Sequence, residues 1–228
     1  MDSAPQPRSA SRATYRHGDL RRALIAAGVQ LARDGGPQAV VLREATRRAG
    51  VVPNAAYRHF ESRLDLLAAV RSAAIAEVAV AMEKEFVRAQ RRMRTARRAD
   101  DDGRIAREHL RAVGVGYLRF AFAEPGLFRT AFASAAAAED APGGHRSADP
   151  ERAGASGRNP FQLLGDALDR YVEAGLLPPE RRTGAEYLAW SAVHGLAMLA
   201  LDGPLRGTPR TQLRALGERI VEMVERGL

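Results

Sequence analysis

Residues 41–60 decide the predicted fold of this chain, and they read VLREATRRAGVVPNAAYRHF. Apolar residues recur at three- and four-residue spacing from Leu42 to Ala49, which is the period of a helix with one buried face. Gly50 suits a left-handed C-cap, and Pro53 suits the first position of a second helix because its missing N–H is not needed there. The stretch therefore predicts two short helices joined by a tight turn, a helix-turn-helix.

The second of these helices has the form of a recognition helix that enters the major groove of DNA. It is short, it carries Asn54, Tyr57, Arg58 and His59, and it ends at the bulky anchor Phe60. Polar and basic side chains on such a helix favour contacts to bases and phosphates.

A supporting helix is predicted before this stretch, from Gly18 to a stop at Asp34-Gly35-Gly36-Pro37. With it, residues 17–63 make a three-helix DNA-binding domain. Residues 1–16 contain Pro, Ser and Arg without an apolar period, so we expect a flexible arm. Its Arg side chains either reach a neighbouring minor groove or belong to a solvated tail, and the sequence leaves both open.

The positive charge of the chain is concentrated in the same region. The chain has a formal net charge of +8, and residues 1–63 hold eleven Arg against five acidic residues, a net charge of +6. High-GC codon usage explains why Arg outnumbers Lys, but it does not explain the clustering. A basic cluster of this kind favours binding to a polyanion such as DNA.

Bulk composition indicates a globular protein that works in the cytoplasm. The 228 residues suit one large or two small domains, and 46% of them are hydrophobic. Without Cys, neither disulfides nor thiolate metal sites are available. The first residues lack the pattern of a signal peptide, and no run is apolar enough to cross a bilayer.

Residues 64–228 read as a larger helical domain, so the predicted fold class is all-α. A long helix begins at a capping box formed by Ser62 and Asp65 and is predicted to reach about Arg98. Asn159-Pro160 predicts another helix start, and Thr183-Gly184-Ala185-Glu186 reads as a second capping box. Residues 139–159 have no period, and we expect a mobile surface loop there. The later predicted helices are Arg104–Ala123, 125–132, Pro160–Ala174, Gly184–Leu201 and one from Pro209 onward.

Four segments resemble the DNA-binding head of TetR-family transcriptional regulators: GDLRRAL (18–24), LRE (42–44), AGV (49–51) and YRHFESRLDLL (57–67). The segments YLRFAFAEPGLF (117–128) and WSAVHGL (190–196) resemble the C-terminal domain type named for its Trp-His-Gly signature. This resemblance implies a homodimer with two DNA-binding heads and two helical ligand-binding bodies. It also implies a four-helix dimer interface, to which we assign Pro160–Ala174 and Gly184–Leu201. The two recognition helices would then lie about 34 to 36 Å apart and match a palindromic operator.

The resemblance also assigns DNA-binding roles. Arg43 matches a residue that points into the major groove, where its fork suits a guanine edge. The base-facing start of the recognition helix corresponds to Pro53, Asn54 and Ala55, and the phosphate-contacting positions correspond to Tyr57, His59 and Arg63. Asn54 either reads adenine or only caps its own helix, and Tyr57 either contacts phosphate or packs partly in the core. Four positions depart from the family pattern: Val52 replaces a capping Ser or Thr, Ala56 replaces a larger apolar residue, and Ala45 and Thr46 replace a common Ile-Ala pair.

Aromatic and Met residues on the later helices predict a pocket for a small apolar effector of unknown identity. Its candidate lining residues are Tyr117, Phe120, Phe128, Phe132, Trp190, His194 and Met198. The alternative is an ordinary core, in which His194 is a hydrogen-bonded interior histidine.

Two other function classes compete with a regulator. For an enzyme, the five His show neither an HExxH motif nor an i, i+4 pair, so we expect no metal site. Gly114-Val115-Gly116 lacks the third Gly and the preceding strand of a dinucleotide loop, so we expect no cofactor either. A helical adaptor that binds protein would leave the basic head without a purpose. The sequence therefore favours a DNA-binding regulator, and the resemblance to the TetR family implies a repressor that a small effector releases from its operator.

Overall fold

The computed structural model describes residues 17–95, 102–133 and 149–228. Regular structure within these ranges is helical, which confirms the predicted all-α class with a helix-turn-helix domain and a larger C-terminal helical domain. The α-helices are α1 (His17–Gly35), α2 (Leu42–Ala49), α3 (Pro53–Ala56), α4 (Arg63–Thr95), α5 (Asp102–Ala123), α6 (Pro125–Ala131), α7 (Pro160–Glu173), α8 (Ala185–Leu201) and α9 (Arg210–Gly227). Short 3₁₀ helices cover Pro37–Ala39, Pro150–Arg152 and Pro179–Arg181.

The head consists of α1, α2 and α3 packed around a small apolar core. Gly50 caps α2 with a φ of +68°, the left-handed conformation predicted for it. Ala56 is completely buried, so this small residue lets α3 lie close against its neighbours. The Phe60 ring is also buried, and the Arg21 guanidinium lies 5.6 Å from its centre.

The recognition helix is shorter than its sequence suggests. α3 ends at Ala56, and residues 57–59 form a turn. The N–H groups of His59 and Phe60 both donate to the carbonyl of Ala56, at 2.9 and 3.0 Å. This closing turn brings Phe60 down into the core, while Val52 precedes α3 without a side-chain cap.

The body is organised around α5, which packs against α4, α7, α8 and α9. α5 crosses α4 so closely that a β-carbon on Gly116 would lie 2.6 Å from Cα of Met82. α4 itself begins with the predicted capping box, since Ser62 N–H donates to Asp65 Oδ2 at 2.9 Å and Asp65 N–H donates to Ser62 Oγ at 3.1 Å. The described part of α4 ends at Thr95, so its predicted extension to Arg98 lies outside the described residues.

The predicted cap of α7 is confirmed, whereas the predicted capping box of α8 is wrong although the helix begins close to its predicted start. Asn159 and Gln162 form a reciprocal capping box at α7, with bonds of 2.9 and 3.0 Å. At α8 the predicted Thr183–Glu186 box is absent. Gly184 is the N-cap with no side-chain bond, and Glu186 instead pairs with Arg182 at 2.8 Å.

The described part of the predicted 139–159 loop, residues 149–159, contains one short 3₁₀ helix and otherwise irregular backbone. Pro150–Arg152 forms a 3₁₀ helix that packs against α4. The Glu83 carboxylate of α4 accepts the N–H groups of Ala155 and Ser156, both at 2.9 Å. Residues 134–148 and the predicted arm, 1–16, lie outside the described residues. Across the described ranges, every helix is too short or too polar to traverse a bilayer.

The α4–α5 crossing predicts the effect of a small substitution. Gly116→Ala adds a β-carbon that collides with backbone, so the helices must separate, and we expect a loss of about 1 to 3 kcal/mol in unfolding free energy. Gly165→Ala on α7 is the matched control, because its nearest neighbours are 3.8 Å away and Ala favours a helix by up to about 1 kcal/mol. Urea unfolding measures both, and equal stability of the two variants would contradict this packing.

A buried histidine predicts the acid sensitivity of the fold. Burial, together with the positive charge of Arg170, lowers the pKa of His109 to about 4. The side chain lies against the Phe86 ring, with 4.1 Å between ring centres. The unfolded chain binds a proton here near pH 6.5 and the folded chain does not, so this contribution to stability is present above pH 6.5 and is lost as pH falls towards 4.

We therefore expect His109→Leu to reduce the stability lost between pH 7 and pH 4.5 by about 2 kcal/mol. The measurement is urea unfolding of wild type and variant at the two pH values and one protein concentration. An identical loss in both proteins would show that His109 does not contribute.

Candidate nucleic-acid interface and interior cavity

The outer surface of the head presents several of the predicted DNA-binding residues. Arg43 on α2 and Asn54 on α3 are exposed, and Tyr57 is 58% exposed. Ala55 and His59 are half-buried, and Pro53 is the first residue of α3. The structure thus places polar side chains of α2 and of the start of α3 on the solvent-facing surface of the head.

Basic residues of the head differ in their ion pairs and side-chain hydrogen bonds. Within the described part of the chain, Arg43 and Arg58 have no ion pair or side-chain hydrogen bond. Arg47 is held by Glu44 through bonds of 2.9 and 2.5 Å, and Arg48 pairs with Asp34 at 2.9 Å. Arg43 and Arg58, both exposed, are therefore well placed to meet a polyanion.

Arg63 has a structural contact in addition to its predicted phosphate role. Its guanidinium donates to the carbonyls of Val40 and Pro37, at 2.9 and 2.7 Å. These bonds tie the start of α4 to the connection between α1 and α2.

An interior cavity lies within the body, bounded by α4, α5, α7, α8 and α9 and by the end of α6. Its volume is about 80 Å³ and its wall is mostly apolar. A single water needs only about 10 to 15 Å³ of such space, so there is room for a slim organic group. Of the predicted pocket residues, Tyr117, Phe132 and Trp190 line it.

A chain of hydrogen bonds fixes the aromatic side of the wall. Trp190 Nε1 donates to the Tyr117 hydroxyl at 3.1 Å, and that hydroxyl lies 2.8 Å from Nδ1 of His194. Burial raises the pKa of Tyr117 and lowers the pKa of His194, so near neutral pH the phenol keeps its proton and the imidazole is uncharged. In the tautomer with the imidazole proton on Nε2, the hydroxyl donates to Nδ1.

The other predicted pocket residues lie elsewhere. Phe128 is fully buried against Tyr117, with ring centres 5.4 Å apart, and His194 lies against Phe132, with ring centres 5.1 Å apart, but neither lines the cavity. Phe120 is buried on α5 outside the residues that line the cavity. Met198 is 37% exposed on the outer surface of α8.

Several lining residues were missed by sequence reasoning. Arg71 is only 6% exposed and occupies a place in the apolar period of α4, a pattern break that could have marked it. Arg152, Asn159 and Phe161 also line the cavity. They belong to or adjoin a segment without an apolar period, so no pattern connected them with the interior.

The outer surface of α8 is apolar. Tyr187, Leu188, Met198 and Leu199 are between 37% and 65% exposed, and on α9 Met223 is 57% exposed. Clustered exposed apolar side chains mark an interaction surface.

Comparisons with known proteins agree with this architecture. Residues 24–70 match the family model described as bacterial regulatory proteins, tetR family, and residues 110–224 match the model described as Tetracyclin repressor-like, C-terminal domain. A search of curated proteins finds no significant match.

Solved structures share the fold. A protein with unknown function from Rhodococcus sp. RHA1 is 24% identical, with 95% of this chain and 99% of that chain covered and a TM-score of 0.67. A TetR family transcription regulator from Marinobacter aquaeolei VT8 is 21% identical, with 89% and 93% covered and a TM-score of 0.56. A TetR transcriptional regulator from Rhodococcus sp. RHA1 is also 21% identical, with 90% and 94% covered and a TM-score of 0.54.

Regulators of this kind are typically non-enzymatic and act by binding DNA, and their family implies dimerisation. The match over the head, together with the match over half of the chain in the body, shows that this chain belongs to the TetR family of transcriptional regulators.

Proposed function

We propose that this protein is a cytoplasmic, sequence-specific repressor that binds a palindromic operator as a homodimer and is released by a small apolar effector. The observation that carries the proposal is the position of α6. Its C-terminal end contributes Ala131 and its C-cap Phe132 to the cavity wall, and its N-terminal turn lies on the head.

The contact between α6 and the head is a backbone contact. A β-carbon on Gly126 would lie 2.4 Å from the carbonyl oxygen of Ala32 and 2.6 Å from that of Arg33, at the end of α1. Arg33 also pairs with Glu124 at 3.1 Å and with Glu77 of α4. A ligand that moves Phe132 therefore displaces α6. Because the backbones of α6 and α1 are in direct contact, the displacement is transmitted to α1.

This geometry supports release by a population shift. An effector that binds better when α6 is displaced would favour a head orientation in which the two recognition helices no longer match their half-sites. The effector can shift the equilibrium between the two head orientations only by as much as its binding free energies for the two states differ.

In the DNA complex, we assign base reading to Arg43 and to the start of α3. Arg43 suits the O6 and N7 acceptors of guanine, and Asn54 suits adenine, with Pro53 and Ala55 beside them. Tyr57, His59 and Arg63 are assigned to phosphates, and the exposed Arg58 joins them.

The hydrogen-bonded set of Tyr117, Trp190 and His194 supports assignment of the body to the Trp-His-Gly type. Trp190, His194 and Gly195 supply that signature in this chain. Through these bonds the tryptophan and histidine of α8 hold the cavity side of α5.

We propose that the dimer forms through α8. Its four exposed large apolar side chains, with Met223 of α9, would be buried in a four-helix interface. Large apolar residues of the described α7, such as Leu164 and Leu168, turn inward instead. The exposed surface therefore favours α9 over the sequence assignment of Pro160–Ala174 as the companion of α8.

Selection of genomic fragments with the purified full chain tests the function. We expect one palindromic sequence to be enriched, and Arg43→Ala to weaken binding to it by about 1 to 3 kcal/mol and to relax base preference in each half-site. Fluorescence anisotropy with the operator and with single-base variants measures both effects.

The control is Arg47→Ala on the same helix, because Glu44 already holds that guanidinium. Unchanged operator affinity in the Arg43 variant would refute base reading by Arg43. Failure to enrich any palindrome would refute the proposed function and favour a protein-binding adaptor.

The dimer surface gives a separate prediction. Leu188 is 65% exposed on α8, and Leu188→Glu places a charge at the centre of the proposed interface. We expect size-exclusion chromatography with light scattering to show a monomer. An unpaired charge buried in an apolar interface costs on the order of several kcal/mol of association free energy. Val87→Glu on α4, at a residue 44% exposed, should leave the dimer intact. Dimers of both variants would exclude this surface.

A further inference from the structure

The charged residues on the cavity wall have one sign. Within the described ranges, the lining residues include Arg71 and Arg152 and no Asp or Glu. The remainder of the wall is mostly apolar, including Ile75, Leu110 and Val113. Guanidinium groups at the edge of an apolar space interact with an anion through a lower effective dielectric than they would in water.

The two arginines come from different elements, α4 and the 3₁₀ helix at Pro150–Arg152, and both line the cavity. Arg71 is 6% exposed, and its Nε donates to the carbonyl of Ala131 at 3.1 Å. Arg152 Nε lies 3.3 Å from Oγ of Ser72, the residue that follows Arg71. Arg152 also pairs with Asp149 at 3.1 Å, and that carboxylate is outside the residues that line the cavity.

The N-terminus of α7 reinforces this charge pattern. Asn159, Pro160 and Phe161 line the cavity where α7 begins. A helix N-terminus carries a partial positive charge, so a third element presents a positive end to the same space. The volume of about 80 Å³ limits the occupant to a slim group, such as a single alkyl chain or ring.

We propose that the ligand of this cavity is a slim apolar molecule carrying one anionic group, such as a carboxylate, which Arg71 and Arg152 bind. The planar guanidinium fork matches the two oxygens of a carboxylate, and the apolar wall contacts the alkyl chain of the ligand. This inference rests on the proposed function and gives the chemical class of the effector.

The same arrangement explains how the anion would act. Arg71 holds the last residue of α6 through the Ala131 carbonyl. A ligand carboxylate bound by Arg71 competes with that carbonyl, and the end of α6 that it loosens is continuous with the turn that rests on α1. Charge recognition in the cavity therefore acts directly on the element that touches the head.

Three probes of equal chain length test the charge preference in the intact wild-type protein. Octanoate, 1-octanol and octylamine are titrated by isothermal calorimetry at pH 7.5. A hydrogen-bonded ion pair adds roughly tenfold or more in affinity, so octanoate should bind at least about tenfold more tightly than octanol, and octylamine less tightly than octanol.

A matched pair of variants locates the anion. Arg152→Gln should weaken octanoate binding by about fivefold to tenfold and leave octanol binding unchanged within about twofold. Arg158→Gln is the control, since Arg158 pairs with Asp166 at 3.3 Å and lies outside the cavity wall. It should leave the octanoate-to-octanol ratio as in wild type. Melting temperatures show that both variants are folded.

Equal binding of octanoate and octanol, preference for octylamine, or no binding of any probe would each overturn the inference. So would an octanoate-to-octanol ratio that Arg152→Gln leaves unaltered. The calorimetry contains no DNA, so it separates the two proposals. Operator binding without anion preference refutes only the ligand class, whereas anion binding without an operator refutes only the proposed function.

Discussion

The functional parts of this molecule depend on one backbone contact. At Gly126 the first turn of α6 lies against the final carbonyls of α1 so closely that any β-carbon would collide with them. Side chains can change rotamer to absorb a small displacement, but two backbones in contact cannot, because packed interiors have few voids. The ion pairs of Arg33 with Glu77 and Glu124 fasten the same junction to α4 and to the end of α5. The head and the cavity are therefore joined by a rigid element.

Local patterns in the sequence predicted the parts of the fold that local forces decide. The left-handed cap at Gly50, the capping box of Ser62 and Asp65, and the start of α7 at Asn159 each depend on residues a few positions apart. The Thr183–Glu186 box does not form, because Glu186 pairs instead with Arg182, four residues before it, and Gly184 caps α8 without a side-chain bond. The sequence also does not show which face of an apolar helix is exposed. Met198 belongs to the apolar helix α8 but faces solvent.

The cavity could be predicted only in part because its wall is assembled from distant segments. Tyr117, Phe132 and Trp190 were predicted because aromatic residues recur on the helices that the family packs around a cavity, and all three line this one. Arg71 and Arg152, which give the wall its charge, are 81 positions apart in sequence and come together only when the 3₁₀ helix at Pro150–Arg152 packs on α4. Long-range packing thus sets the chemistry of the interior, while the DNA-facing residues lie within one short stretch.

The hydrogen bonds of Glu83 to the segment after this 3₁₀ helix have a consequence for the rate at which a ligand leaves the cavity. Its carboxylate accepts the N–H groups of Ala155 and Ser156 and the Ser156 hydroxyl, at 2.9, 2.9 and 2.6 Å. The same segment leads into Asn159 and Phe161 at the cavity wall. A guest that passes beneath it must wait for these three bonds to break together, a local opening rather than global unfolding. For a guest that takes this route, the residence time is set by how often the segment detaches, so even a weakly held guest would leave slowly.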